Sequence, residues 1–240
     1  MQSHAVMSVY SASHYHESVM KQNGLKVMIP SGEGWYPLML VYNADGFDRW
    51  SGIDARMTVL YSFGAFDMLT RTSALYDAES DRYSAFYGAY VVDKNGGAFG
   101  FYPDGTLNAD EVKTAVRYDY TQLVMANFGC ESPVFDVIDM RTAADTQCAG
   151  SGGWTLIEAS IRVNGAAHRF AEHKTAYLQY GRPTQTPDTD FAETVLHGRV
   201  YAKYLPEYEC TVMLYCIAPD WSVVDECDAN LLRPTTITGL

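Results

Sequence analysis

Two segments restrict the folding choices of this chain more than any other feature: residues 56–66 (RMTVLYSFGAF) and residues 83–93 (YSAFYGAYVVD). Their β-branched and aromatic side chains crowd a helix but fit the pleated surface of a sheet. Gly64 inside the first run marks a bulge or a close backbone approach. Asn95-Gly96-Gly97 follows the second run as a strong turn, so residues 98–102 are expected to return as its hairpin partner.

Shorter runs of the same kind occupy residues 25–29, stopped by Pro30, and residues 37–42, stopped by Asn43, Asp45 and Gly46. In the second half, residues 134–140 are apolar and strand-like, and residues 145–153 form a polar, glycine-rich loop. Residues 154–163 and 166–173 flank Asn164-Gly165, a tight-hairpin dipeptide. Residues 175–180 extend the sheet, and residues 182–190 (RPTQTPDTD) form an exposed loop. Residues 198–204 and 210–218 make a further hairpin around Pro206.

Helical patterns are few. Residues 3–22 can form a helix capped by Ser3 and ended by Asn23-Gly24, or an N-terminal arm. Residues 108–128 carry Val112, Ala115, Val116, Tyr120, Leu123, Val124 and Phe128 near a 3.6-residue period, with Asn108 or Asp110 as cap and Gly129 as stop. Asp220 caps a last short helix bearing Trp221, Val224, Cys227 and Leu231, ended by Pro234.

Strands that run into strands, with helices rarely between them, exclude a parallel βαβ sheet. The expected class is α+β, a mainly antiparallel sheet with two or three helices packed on it. Residues 1–23 form a helix or arm and residues 24–240 one domain, with two similar halves, 24–130 and 131–240, as a possible subdivision. The closing order of strand, helix and Leu-rich tail resembles in outline the PsbP/Mog1-type α/β/α sandwich, a similarity of shape that no motif carries.

Charge narrows the partners. The 29 acidic residues outnumber the 17 basic ones, for a net charge of −12. Nucleic-acid affinity comes from Lys and Arg at phosphates, so neither nucleic acid nor an anionic membrane surface is an expected partner. No run approaches the ~20 apolar residues of a bilayer span. As it stands the sequence reads as cytoplasmic, or as exported if a signal peptide has been removed. Five cysteines without a C-x-x-C pair make neither a zinc ribbon nor a disulfide framework. Cys130 and Cys148 bracket the glycine-rich loop and can pair in an oxidising compartment, whereas Cys210 and Cys216 share a strand, about 20 Å apart, and cannot.

No phosphate loop, G-x-S-x-G, H-E-x-x-H or EF-hand pattern is present. No metal and no cofactor is expected. His14-x-His16 can grip a metal only in an extended strand, since helical residues two apart diverge by about 200°. Asp77, Glu79 and Asp81 alternate like calcium ligands but lack an EF-hand's glycine and closing glutamate. Two constellations remain. His168 and Glu172 share one strand face, and a carboxylate that orients an imidazole supplies a general base; Cys130 is a candidate nucleophile for such a base. Aromatic residues crowd the first half, where Trp35, Arg49, Trp50 and Tyr76 are the candidate ligand contacts. The favoured reading is a non-enzymatic binding module that takes a peptide, glycan or protein partner, as a monomer or homodimer. The alternative is a hydrolase that uses His168, Glu172 and Cys130.

Overall fold

A computed structural model describes residues 2–67, 72–166 and 191–240. The strands are β1 (Leu25–Met28), β2 (Leu40–Asn43), β3 (Ala55–Phe63), β4 (Phe66–Asp67), β5 (Thr72–Ser73), β6 (Phe86–Lys94), β7 (Phe135–Cys148), β8 (Ser151–Asn164), β9 (Glu193–Leu205), β10 (Cys210–Ala218) and β11 (Thr236–Gly239). The helices are α1 (Gln2–Glu17), α2 (Val19–Gln22), α3 (Phe47–Ser51), α4 (Ala109–Tyr118), α5 (Ala126–Phe128) and α6 (Trp221–Cys227). Seven strands form one sheet in the order β2-β3-β6-β10-β9-β8-β7, and β1-β11 and β4-β5 form two small ones. All the pairings are antiparallel. The expected α+β class is thus what the chain adopts, and one sheet spans both halves of the sequence.

Strands β3, β6 and β10 are buried almost end to end. Both faces are covered, so their sequences lack the apolar-polar alternation of a half-exposed strand. One face, with Met57, Val59, Tyr61, Tyr90, Val92, Met213 and Tyr215, packs under Val112, Ala115, Leu123, Val124 and Phe128. The other, with Leu60, Tyr87, Ala89, Val91, Val212, Leu214 and Cys216, packs under Val19, Met20, Leu25, Val27, Val223, Val224 and Leu231. Helices therefore lie on both faces, as in the expected layered arrangement.

Local chemistry fixes the elements. Asn108 caps α4 by accepting from the Glu111 amide, a contact worth ~1 kcal/mol in a typical helix. The helix widens into a π-helical stretch over Asp119–Met125, where the buried Asp119 carboxylate accepts from the Tyr90 hydroxyl at 2.9 Å. Residues 3–22 are helical but broken at Ser18, whose hydroxyl caps α2. Asp220 caps α6 as expected, and a second π-helical stretch, Asp228–Leu232, continues it. Among the described residues no helix is long and apolar enough to cross a membrane.

Three expectations are corrected. Residues 98–102 are not the partner of β6, because β3 and β10 take both of its edges; Phe99 instead turns into the core. Residues 145–153 are not a loop: β7 runs to Cys148, β8 starts at Ser151, and Ala149 and Gly150, both at positive φ, make the tight turn. Asn164-Gly165 does not close a two-residue hairpin, because β8 is paired with both β7 and β9. Asn164 instead ties three segments: its side chain accepts from the Val134 amide and donates to the Phe191 carbonyl, while its own carbonyl accepts from the Tyr120 hydroxyl. Most of 166–173, and all of 175–180 and 182–190, fall outside the described residues.

Of the glycines in the sheet, the one with least room for a side chain is Gly88, opposite Tyr61 of β3 and Tyr215 of β10. A Cβ there would sit 1.8 Å from the Leu60 carbonyl oxygen, a backbone atom that cannot swing away. Gly88→Ala is expected to destabilise the protein by about 3 kcal/mol or more in urea unfolding, whereas Gly97→Ala, which meets open space, is expected to stay within about 0.5 kcal/mol. Equal effects would contradict this packing.

Candidate functional site

Two glycines bracket the short helix that builds the most distinctive surface. Gly46 at φ 98° and Gly52 at φ 71° allow the chain to enter and leave the single turn α3. Phe47 points inward, edge-on to Phe99 and Tyr118 at 5.9 and 5.3 Å. Trp50 points outward, 40% exposed, with its ring edge-on to Tyr118 at 5.3 Å. The Tyr118 hydroxyl donates to the Asp45 carbonyl at 3.2 Å. Burial, helped by the nearby Tyr42 and Asp45, pushes the Tyr118 phenol up to about 12, so it remains a donor at neutral pH.

Asp45 links this aromatic pair to a groove of about 250 Å³ that Glu17, Asp45, Asp48 and Asp54 border. That volume approaches the ~300 Å³ at which small-ligand sites begin. The floor is rigid. Buried Thr58 accepts from the Val19 amide and donates to Asn43, each at 2.9 Å, and Asn43 donates to the His14 carbonyl at 3.0 Å. Asp54 accepts from Asn95 at 2.8 Å, and Arg56 at the rim is paired with Asp93. Glu17, Asp45 and Asp48 make no ion pair with a described residue, and all three are exposed. Among the described residues no three His, Cys, Asp or Glu side chains converge to hold a metal ion. The groove therefore offers negative charge to an extended or organic cation, and Asp45 joins it to the Tyr118–Trp50 pair, which lies outside its lining, through the Tyr118 hydroxyl.

The other candidate ligand contacts are placed differently. Arg49 is exposed on α3, and its guanidinium folds back over Gly46. Trp35 is 5% exposed, edge-on to Tyr87 at 4.9 Å and 5.6 Å from the Arg82 guanidinium. Tyr76 is 8% exposed and edge-on to Phe128 at 5.6 Å. Trp35 and Tyr76 pack on opposite faces of the sheet, so only Arg49 and Trp50 share a surface. Asn43, Asp45 and Thr58 were not expected at a site. The recurrence of Asp45, Asp48 and Asp54 around Trp50 was the available signal.

Of the catalytic candidates, His168 and Glu172 lie outside the described residues. Cys130 is half-buried after α5 and packs against the α4-side core. Cys148 is buried in the core of the opposite face, so the two sulfurs do not meet to form a disulfide. Burial pushes the Cys148 and Cys210 thiols up to about 12, leaving them neutral and unreactive. His14 and His16 lie on helix α1, where they diverge; His14 stacks on Tyr10 at 3.7 Å. Asp77 accepts from the Glu79 amide, and Asp81 pairs with Arg82, so the acidic run is engaged internally.

A second polar cluster lies where β8 and β9 meet α6. Arg199 reaches Glu158 and Asp228, and both carboxylates are buried. Burial opposes the charged form of Glu158, but hydrogen bonds from Arg199 and Arg141 outweigh it and hold the carboxyl below its ordinary range. Nearby, Ser160 hydrogen-bonds His197 Nδ1 at 2.9 Å, and the imidazole stacks on Trp221 at 4.9 Å. Ser160 and His197 face each other in the β8–β9 register, so their bond is a cross-strand rung.

Burial lowers the His197 pKa from its ordinary value, and Asp220 only partly opposes this. A base favoured as neutral in the fold contributes stability above its ordinary pKa that is lost as pH falls through the lowered one. Proton NMR is expected to give a His197 midpoint below 6.5; a midpoint above 6.5 would contradict the buried, stacked placement. No protein-family model, no curated protein and no solved structure matches the chain.

Proposed function

We propose that the protein is a non-enzymatic binding module whose ligand is a cationic peptide segment held in the α3 groove. The observation that carries this reading is Trp50. A large aromatic ring left 40% exposed on a helix held between two glycines costs solvation in the free protein and suits a partner's surface. The neighbouring Glu17, Asp45 and Asp48 supply unpaired negative charge, which attracts Lys or Arg and repels phosphate and other acids. A cation over an indole gains ~0.5–2 kcal/mol, more when water is excluded. The net charge of −12 adds long-range attraction for a basic partner.

The test is a titration with a fluorescently labelled peptide of alternating Lys, Arg and Gly, against an uncharged peptide and a neutral oligosaccharide. The basic peptide alone is expected to bind, and binding is expected to weaken as salt rises. Trp50→Ala is expected to weaken it about tenfold, and the Asp45→Asn/Asp48→Asn pair by a similar factor. Binding unchanged in Trp50→Ala, or preference for the oligosaccharide, would overturn the reading.

A further inference from the structure

The outer edge of β7 is the longest strand edge that the described residues leave unpaired. β7 has 14 residues and pairs with β8 alone, whereas the opposite edge strand, β2, has 4 and is covered by α1, whose Ser11 hydroxyl accepts from the Val41 amide. An unpaired edge presents free N–H and C=O groups to any other strand. Apolar side chains of β7 itself are exposed: Ile138 at 57% and Val137 at 38%. On the α4 side, β7 also borders an apolar cleft lined by Phe135, Val137 and Met140 together with Val116, Ile157 and Ile161. At about 50 Å³ that cleft is too small for a ligand, but it makes the edge continuous with an apolar surface.

Register irregularities at residues 137–139 and 143–146 interrupt β7 on either side, leaving residues 139–143 as a regular central run. Two copies related by a two-fold axis pair antiparallel, so one residue of the run must face itself. Centred on Asp139, the pairing opposes two aspartates; centred on Arg141, it opposes two arginines. Centred on Met140, it sets Asp139 of each copy opposite Arg141 of the other. The Asp139 carboxylate makes no bond with a described residue, and the Arg141 side chain is 73% exposed although its Nε reaches Glu158 at 2.6 Å. Both groups remain available to a second strand. We propose that a second copy of this chain docks here, with β7 pairing antiparallel to its symmetry mate about Met140 and extending the seven-stranded sheet across the two-fold axis. The two Asp139–Arg141 pairs set this register, and Ile138 and Val137 are covered with it. This surface and its test are independent of the α3 groove.

The test is light scattering after size exclusion at 10–100 μM. The wild-type chain is expected at twice the 26.7 kDa of one chain. Asp139→Arg places like charges across the axis and is expected to weaken the dimer by about a hundredfold, to a monomer. Arg141→Asp is expected to do the same with the opposite sign. The decisive sample is an equimolar mixture of the two variants, in which both pairings of position 139 with position 141 across the axis again set one acid opposite one base; it is expected to recover the dimer. Damage to the fold would not produce that recovery. A wild-type monomer at 100 μM, a dimer that survives Asp139→Arg, or a mixture of folded variants that stays monomeric would each overturn the proposal.

Discussion

Gly88 of β6 has no side chain, and its neighbours on either strand are fully buried tyrosines, Tyr61 and Tyr215. The missing Cβ lets the β3 backbone approach to where any side chain would strike the Leu60 carbonyl. Tyr215 stacks on Tyr90 of β6, with centroids 4.4 Å apart and planes 7° apart. Tyr90 in turn donates to the buried Asp119 in the π-helical stretch after α4. One close backbone contact thus leads through two aromatic rings, Tyr215 and Tyr90, to the helix that covers this face. The opposite face of β6 carries Tyr87, Ala89 and Val91 under Trp35, Val223 and Val224. β6 is covered on both faces and paired on both edges, and the other layers are placed by what they pack against it.

That arrangement explains which parts of the fold the sequence discloses. The runs around Val59 and Val91 are dense in β-branched and aromatic residues because they meet core on both sides, and composition alone marks them as strands. Asn108 and Asp220 carry capping chemistry that is local, so those two helix starts are legible, whereas Ser3, expected as a cap, lies inside α1, and the cap at Ser18 was not anticipated. Gly64 was rightly a position of close approach: a Cβ there would meet the Arg82 carbonyl at 2.8 Å. Pairing partners are not local. Residues 98–102 satisfy every short-range rule for a hairpin return, yet the long-range partners β3 and β10 occupy both edges of β6. The pairing of β1 with β11 joins Leu25–Met28 to Thr236–Gly239, and although residues 25–29 read as a strand, neither tetrapeptide names its partner.

The candidate site was legible in part. An exposed Trp50 beside Arg49 follows from their place in a polar, glycine-bounded segment. Trp35 and Tyr76 look equivalent in sequence, but aromatic content does not state which face of which layer a ring occupies. The groove's carboxylates come from α1, from the loops around α3 and from the entry to β3, a convergence that only the packing of α1 along β2 creates. The polar cluster of Glu158, Arg199 and Asp228 arises in the same way, where β8 and β9 meet α6 and the π-helical stretch that follows it. Surface charge is thus partitioned: acid lies unpaired at the α3 groove, whereas the buried acids near α6 are neutralised by arginine.

Amide hydrogen exchange measures the hierarchy on which all of this rests. If β6 anchors the layers, the amides of β6 and β10 exchange only through global unfolding, while those of α1 and the β1–β11 pair exchange earlier through local opening. Exchange in β6 as fast as in α1, or protection of β11 equal to that of β10, would show that the layers do not depend on this strand.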